Sequence, residues 1–304
     1  MEEYSANYRP LLRFYLILEK VQNGTYPNKK SLLAHLAQHD HAVTDRTFQR
    51  DLKALREKFK ISITYNLREK GYEVDTLASP NLDKFRQYLE LVLSAEVLTQ
   101  SSAEPDKLLD YLQFDMEGQV TGVEWLKPLL QALKHKRFVH FDHINYYKDT
   151  RKHHRLMPFL LKQYNNRWYL IGILPESKEF RTMGLDRILN LEVETETFSY
   201  QPRQEAKDLF RNVVGLTYSP EAKVEHVLLA AEEHHARYLK SLPLHWSQTV
   251  EKEKSGWVYF RYHLVPNYEF KEKILAMGAM AHIVEPAWLA QEIKQDLEAA
   301  LSFY

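Results

Sequence analysis

The chain has 304 residues with fourteen histidines and no cysteine, and these counts limit the catalytic and metal chemistry available to it. His140 and His143 are three residues apart on a predicted strand, so their side chains point to opposite faces, and the neighbours His153 and His154 do the same. Without cysteine there is no thiolate catalysis or disulfide, and zinc would depend on histidine and carboxylate alone. HExxH, P-loop, G-x-S-x-G and EF-hand motifs are absent from the sequence. We therefore expect no enzyme, no metal and no cofactor.

Binding chemistry is concentrated between residues 138 and 198, where aromatic and basic side chains alternate. Guanidinium groups form paired hydrogen bonds with phosphate, and aromatic rings stack on flat bases. Trp168 and Tyr169 are adjacent on a predicted strand, so at least one of the two rings is expected in the core. Asp186 and Arg187 could also pair with each other. The side chains that we predict to bind an anionic, flat ligand are Tyr147, His154, Trp168, Tyr169, Arg181 and Arg187.

Short apolar runs separated by polar turns predict several strands in the same region. The predicted strands are 138–145, 157–164, 168–174, 180–185 and 188–198, and the predicted turns are 148–152, 165–166 and 175–178. Strands so closely spaced indicate a small β-barrel. The fold class is therefore α+β, with the barrel as one of several domains.

The segments PFLLK (158–162), NRWYLIG (166–172) and RTMGLDRI (181–188) resemble, in order and spacing, the WYL domain of bacterial transcription regulators. The resemblance implies a small barrel of Sm or SH3 type that senses a nucleotide or a single-stranded oligonucleotide. Many relatives have arginine where this chain has His154 and Gly184. If the pKa of His154 stays near its usual ~6.5, phosphate affinity at this position would rise as the pH falls.

The first 75 residues predict three helices and a hairpin. Helices are expected at 10–22 and at 29–38, and a third begins after Thr44, which we predict to be its N-cap. The segment 61–75 predicts two strands around LREKG, with Gly71 in the turn. TDRTFQRDLKAL through GYEV resembles the winged helix-turn-helix found ahead of WYL domains, although a solvated basic face on a structural helix is the alternative. The side chains predicted to contact double-stranded DNA are Arg46, Thr47, Gln49, Arg50, Lys53, Arg68 and Lys70.

Two further regions complete the chain. Helical periodicity at 79–101, 105–116 and 123–135 predicts a linker whose surplus apolar side chains would pack on a partner chain or on the barrel. Beyond a short helix at 201–212, the order βαββαβ plus a final helix is ferredoxin-like, and resembles the C-terminal extension (WCX) of WYL proteins. The predicted domains are 1–76 (winged helix-turn-helix), 77–136 (linker), 137–200 (WYL-like) and 201–304 (ferredoxin-like).

The formal net charge is zero, but residues 1–75 carry 13 basic and 10 acidic side chains and residues 137–188 carry 10 and 5. These two regions are where contact with a polyanion is expected. No apolar run is long enough to span a bilayer, so we expect a cytoplasmic protein with no membrane partner. The sequence predicts a homodimeric transcriptional regulator. The alternatives are a single-strand-binding protein that uses the barrel and a metal-dependent nuclease.

Overall fold

The computed structural model describes residues 2–22, 25–100, 121–200, 207–219 and 221–304. They form a mixed α/β structure with three sheets and divide into two compact units, Met1–Asp115 and Met116–Tyr304. The helix predicted at 105–116 lies outside the described residues, as does the first half of the helix predicted at 201–212. No described helix is long and apolar enough to cross a membrane.

The first unit begins with three helices, α1 (Glu2–Gln22), α2 (Lys29–Gln38) and α3 (Asp45–Ala54). Helix α1 starts eight residues earlier than predicted and contains Pro10. The predicted N-cap of α3 is confirmed, because the Thr44 hydroxyl accepts a hydrogen bond from the backbone N–H of Thr47 at 3.3 Å. A π-helical turn, Leu55–Phe59, continues α3 toward the hairpin.

The hairpin consists of antiparallel strands β1 (Ser62–Asn66) and β2 (Gly71–Asp75). The predicted role of Gly71 in the turn is wrong. Lys70 has the left-handed backbone (φ 54°), whereas Gly71 is the first residue of β2. Gly71 is required by close approach, since a Cβ there would lie 1.7 Å from the carbonyl oxygen of Tyr26. The next residue donates its N–H to the Pro27 carbonyl at 2.9 Å, which ties the hairpin to the loop before α2.

Helix α4 (Leu82–Gln100) is the last described element of the first unit and packs against α1. Phe85 and Leu89 are buried in a cluster with Phe14 of α1, and this accounts for part of the apolar surplus that the sequence shows. Tyr88 and Leu91 remain 47% and 54% exposed. Burial within the unit therefore covers only one side of α4 over its first three turns.

The second unit opens with a 3₁₀ turn and helix α5 (Leu126–His135), followed by a five-stranded antiparallel sheet. Its strands are β3 (Arg137–Asn145), β4 (Thr150–Tyr164), β5 (Arg167–Ile173), β6 (Phe180–Gly184) and β7 (Ile188–Thr197). The strand order is β6-β5-β4-β3-β7. The predicted closure into a barrel is not confirmed, because among the described residues no pairing joins the edge strands β6 and β7.

Strand β4 begins earlier than predicted, since residues 150–152 belong to the strand rather than to the preceding turn. The β3–β4 pairing continues to Asn145 and Thr150. Its end is held by Asp142, whose carboxylate accepts hydrogen bonds from Arg151 at 2.7 Å and Asn190 at 3.0 Å. These contacts stabilise the longer hairpin. The polar residues of this segment predict a turn instead.

The C-terminal part has the predicted order of elements, with β8 (Glu225–Glu232), α6 (Glu233–Ser241), β9 (Thr249–Lys254), β10 (Trp257–Leu264), α7 (Tyr268–Ala276), β11 (Ala281–Glu285) and α8 (Ala287–Leu301). The antiparallel sheet order β11-β8-β10-β9 is that of a ferredoxin-like fold. The sequence predicts that β9 starts at Trp246, but the strand starts at Thr249. Trp246 instead donates its indole N–H to the Arg211 carbonyl at 2.6 Å, outside the sheet.

Candidate functional site

The first candidate surface is the exposed side of α3, defined by Arg46, Gln49, Arg50 and Lys53 and called here the α3 face. Phe48 and Asp51 lie on the opposite side of the helix and are buried. This separation follows from helical spacing, because side chains three and four positions apart share a side. The α3 face thus presents three cations and one amide to solvent.

Two of the predicted contact residues have internal partners. The Thr47 hydroxyl lies 3.2 Å from the Thr44 hydroxyl and is half-buried, so it belongs to the cap of α3. Lys53 lies 3.8 Å from Glu57 one turn later. An exposed pair of this kind is weak, so the Lys53 ammonium remains available to another anion.

The tip of the β1–β2 hairpin carries Arg68 and Lys70, and both side chains are exposed. The turn is ordered by Asn66, whose side-chain oxygen accepts the backbone N–H groups of Arg68 at 2.9 Å and Glu69 at 3.1 Å. This Asx-type turn fixes the backbone, and neither cationic side chain forms an ion pair with another described residue.

The second candidate surface, called here the arginine–histidine cluster, consists of His143, Tyr146, His154, Asp186 and Arg187. The Arg187 guanidinium lies 5.5 Å from the centre of the Tyr146 ring, and its Nε is 3.4 Å from an oxygen of Asp186. A Cβ at Gly184 would lie 2.3 Å from Arg187 Nη2. The absence of a side chain at Gly184 therefore leaves the space that Arg187 occupies.

His143 and His154 meet on one face of the sheet because Phe141 pairs with His154 across β3 and β4. Their ring centres are 6.3 Å apart. Burial lowers the pKa of His143 to about 4, and the charge of Arg187 acts in the same direction. The His143 Nε2 atom is buried and has no hydrogen-bond partner among the described residues. The cluster thus contains a buried polar atom to which no described residue is hydrogen-bonded.

The pKa of His154 is also lowered, mainly by burial and further by nearby charges that include Lys152 and Arg181. The ring is therefore neutral at neutral pH, and protonation would require more acid than the usual value of ~6.5 implies. The permanent cation of the cluster is Arg187. His154 contributes a hydrogen-bonding ring in place of the cation that an arginine would supply.

The other predicted ligand-binding residues occupy different positions. Arg181 is exposed and is bonded to the Glu179 carboxylate. Trp168 packs with the core that includes Leu170, while Tyr169 packs on the opposite face against a cluster that includes Phe210, so both rings are half-buried. Tyr147 is 96% exposed in the β3–β4 turn. Of the two adjacent tyrosines, Tyr146 rather than Tyr147 contacts Arg187.

Sequence reasoning singled out His154 and Arg187 but not His143, Tyr146 or Asp186 as members of one site. The signal that could have found them is the pairing of β3 with β4 in a hairpin. Placing His154 opposite Phe141 puts His143 diagonally next to it, within side-chain reach.

Among the described residues, no group of three or more His, Asp or Glu side chains could hold a metal ion. His140 and His153, whose ring centres are 5.6 Å apart, each lie beside one carboxylate, that of Glu192 and that of Asp142 respectively.

Comparison with known families identifies the domains of the second unit. Residues 124–193 match the model of the WYL domain, and residues 223–301 match that of the WCX domain. The chain therefore contains a WYL domain followed by a WCX domain, in the order predicted from the WYL motifs and from the βαββαβ pattern that follows them. The arginine–histidine cluster lies within the WYL match.

Two of the solved structures that the chain resembles have low sequence identity to it. Proteasome accessory factor B/C (PafBC) of Arthrobacter aurescens is 17% identical over 97% of this chain and 47% of that chain, with a TM-score of 0.29. This chain thus spans about half the length of that protein. A CRISPR Cas-related protein is 16% identical over 97% of this chain and 84% of that chain, with a TM-score of 0.37. No curated protein matches the chain.

Proposed function

We propose that the chain is a DNA-binding transcriptional regulator whose first unit works as a winged helix-turn-helix. The observation that carries the proposal is the α3 face, which is exposed and cationic while Phe48 and Asp51 on the opposite side of the helix are buried. An α-helix fits the major groove, where arginine reads guanine and glutamine reads adenine. Arg68 and Lys70 at the hairpin tip would then contact the phosphate backbone beside the groove.

The WYL domain is proposed to sense an anionic effector at the arginine–histidine cluster. Arg187 would pair with a phosphate, and the buried, unpartnered Nε2 of His143 would hydrogen-bond a polar group of the same ligand. Tyr146 and Tyr147 provide rings for a base. A nucleotide or a short single-stranded oligonucleotide has all three features, and this is the effector class that we propose.

The regulator is proposed to act as a homodimer on a two-fold related operator, because one short recognition helix rarely gives sufficient affinity. The exposed Tyr88 and Leu91 of α4 are candidates for the dimer contact. Effector binding would change operator affinity if the two states of the dimer bind the effector differently. We further propose a bacterial, cytoplasmic protein without catalytic activity.

Footprinting of the full chain on the DNA upstream of its own gene tests the proposal, with and without a short single-stranded oligonucleotide. We expect protection of a palindromic duplex site, a steep dependence of affinity on salt, and a change of affinity when the oligonucleotide is added. Equal affinity for that DNA and for random duplex at physiological salt would reject DNA-specific regulation. Metal-stimulated cleavage would favour a nuclease instead.

A further inference from the structure

The WCX sheet has one face covered by its helices and one that carries aromatic and basic side chains. Along β10, Val258, Phe260 and Tyr262 are buried in the core with the helices. Side chains of a strand alternate between faces, so Trp257 and Tyr259 lie on the other side of the sheet. Both rings are half-buried, as expected for rings that lie flat on a sheet. We call this side of the WCX sheet the open face.

The neighbours of the two rings are set by the strand register. Tyr259 pairs with Lys252 on β9 and with Ala230 on β8, and Ala230 also pairs with His282 on β11. Since alanine is small, it leaves room for larger rings on either side. The rings of Trp257 and His282 accordingly come within 4.9 Å of each other.

Cations flank the aromatic row. The Lys252 ammonium lies 4.6 Å from the centre of the Tyr259 ring, and Lys254 is the cross-strand partner of Trp257. Both lysines are exposed, and neither forms an ion pair within the described part of the chain. Arg261, two residues beyond Tyr259, is instead neutralised by Glu251 and Glu285. The free positive charge is thus located on the β9 side of Trp257, while on its β8 side the carboxylate of Glu232 caps α6.

We propose that the open face binds a single-stranded nucleic acid, with bases stacked on Trp257 and Tyr259 and phosphates held by Lys252 and Lys254. Aromatic side chains on the central strands of four-stranded sheets stack two or three bases in RNA-recognition motifs. Stacking of this kind accepts any base, because every base has a flat π-face. A duplex is excluded, since its bases are already stacked on each other. This site lies in the WCX domain and is distinct from the arginine–histidine cluster of the WYL domain.

Fluorescence anisotropy of the full chain with labelled oligothymidylate and oligouridylate tests the site, and the two probes separate DNA from RNA. In the Arg187→Ala background, which removes the proposed WYL site, Trp257→Ala and Tyr259→Ala should each weaken binding about tenfold or more, whereas Tyr259→Phe keeps the ring and should bind like the unsubstituted background. Tyr238→Ala is the matched control, because Tyr238 is an exposed ring on α6, which packs on the opposite side of the sheet. Thermal unfolding of each variant checks that its sheet is intact.

A second measurement locates the strand directly. An oligonucleotide containing 5-iodouracil crosslinks under ultraviolet light to aromatic rings that stack on it, and we expect the crosslinked peptide to contain Trp257 or Tyr259. Binding that survives both alanine substitutions but is lost in Arg187→Ala, or a crosslink confined to residues 137–188, would place the strand at the WYL domain and overturn the proposal. Absence of binding to either probe would overturn it as well. Operator binding by the first unit is unaffected by any of these outcomes.

Discussion

Arg13 of α1 and Asp51 of α3 form a buried, bidentate ion pair in the first unit. The Arg13 Nε–Asp51 Oδ2 distance is 2.6 Å, the Nη2–Oδ1 distance is 3.0 Å, and both residues are more than nine-tenths buried. Asp51 lies next to Arg50 of the α3 face. Two parallel hydrogen bonds fix the rotation of α3 as well as its distance from α1. The direction in which the α3 face points therefore depends on this pair.

Arg13→Ala should destabilise the first unit by about 3 kcal/mol, because it leaves a buried carboxylate without its partner. Hydrogen exchange of the α1 and α3 amides in the full chain measures the loss within this unit. Lys29→Ala, which removes the exposed pair with Asp45, is the control and should leave protection close to that of wild type. Arg13→Met combined with Asp51→Leu should recover much of the protection. Unchanged protection in Arg13→Ala would contradict the role given to the pair.

Arg50→Ala should weaken binding to a specific duplex about tenfold or more while leaving the oligomeric state unchanged, since one cation of the α3 face is removed. Titration at several salt concentrations shows which contact is lost. A phosphate contact lowers the salt slope by about one and weakens all sequences alike, whereas a base contact relaxes specificity at one position. Lys84→Ala, which removes an exposed cation from α4, is the matched control. Equal effects of Arg50→Ala and Lys84→Ala would indicate that Arg50 contributes only non-specific electrostatic attraction to DNA.

The features predicted correctly from sequence are those that neighbouring residues determine. The Thr44 cap and the exposed side of α3 follow from spacing along one helix, and the βαββαβ order follows from alternating periodicities. The strands of the WYL domain are predicted for the same reason, although β4 starts seven residues before its predicted first residue. At these positions the preferences of the local sequence and the packing of the tertiary structure favour the same conformation.

The features that were missed depend on contacts between distant segments. Position 71 requires glycine because a side chain there would overlap the backbone of Tyr26, forty-five positions earlier. No rule for local turns predicts this contact. The meeting of His143 with His154 depends on the hairpin register, which the polar residues around the turn do not determine. Barrel closure failed as a prediction because the number of strands does not determine whether edge strands pair.

Arg187→Ala and Arg181→Ala should each reduce the effect of the effector on operator binding, with unchanged operator affinity in its absence. Loss of a charge-assisted hydrogen bond to phosphate corresponds to about tenfold or more in effector affinity. Arg181 is already bonded to Glu179, so the larger loss is expected for Arg187. Effector titrations of a preformed protein–operator complex provide the measurement, and Lys178→Ala in the β5–β6 turn is the charge-matched control. If either substitution weakens operator binding without effector, the two functions have been assigned to the wrong units.

Gly71→Ala should destabilise the hairpin of the first unit by about 1–3 kcal/mol, because its methyl group would overlap the carbonyl of Tyr26. Both groups belong to backbone-anchored positions, so neither moves without disturbing the hydrogen bond from the Tyr72 N–H to the Pro27 carbonyl. Hydrogen exchange of β1 and β2 measures the loss. Gly256→Ala, in the β9–β10 turn, strains its own backbone (φ +79°) but brings its methyl group within 4 Å of no other described atom, so as a control it leaves the first-unit hairpin as in wild type. Wild-type exchange in Gly71→Ala would mean that the loop before α2 adapts freely.

The stability of the WYL domain should fall as the pH drops from about 6.5 toward 4, because the pKa of His143 is lowered to about 4 in the folded state. Between these values the unfolded chain binds a proton at His143 that the folded domain does not, so acid favours unfolding; above 6.5 the contribution is constant. Since the ring is only half-buried, solvent screening reduces the expected loss to about 1 kcal/mol.

The measurement is hydrogen exchange of β3 and β4 across this pH range, corrected for intrinsic exchange rates, in wild type and in His143→Gln. Glutamine keeps a polar side chain of similar reach and has no charge to gain, so the variant should lose less protection than wild type on acidification. His226→Gln, on the open face of the WCX sheet, is the control and should follow the wild-type profile. Parallel profiles for wild type and His143→Gln would mean that His143 takes up its proton without unfolding the sheet.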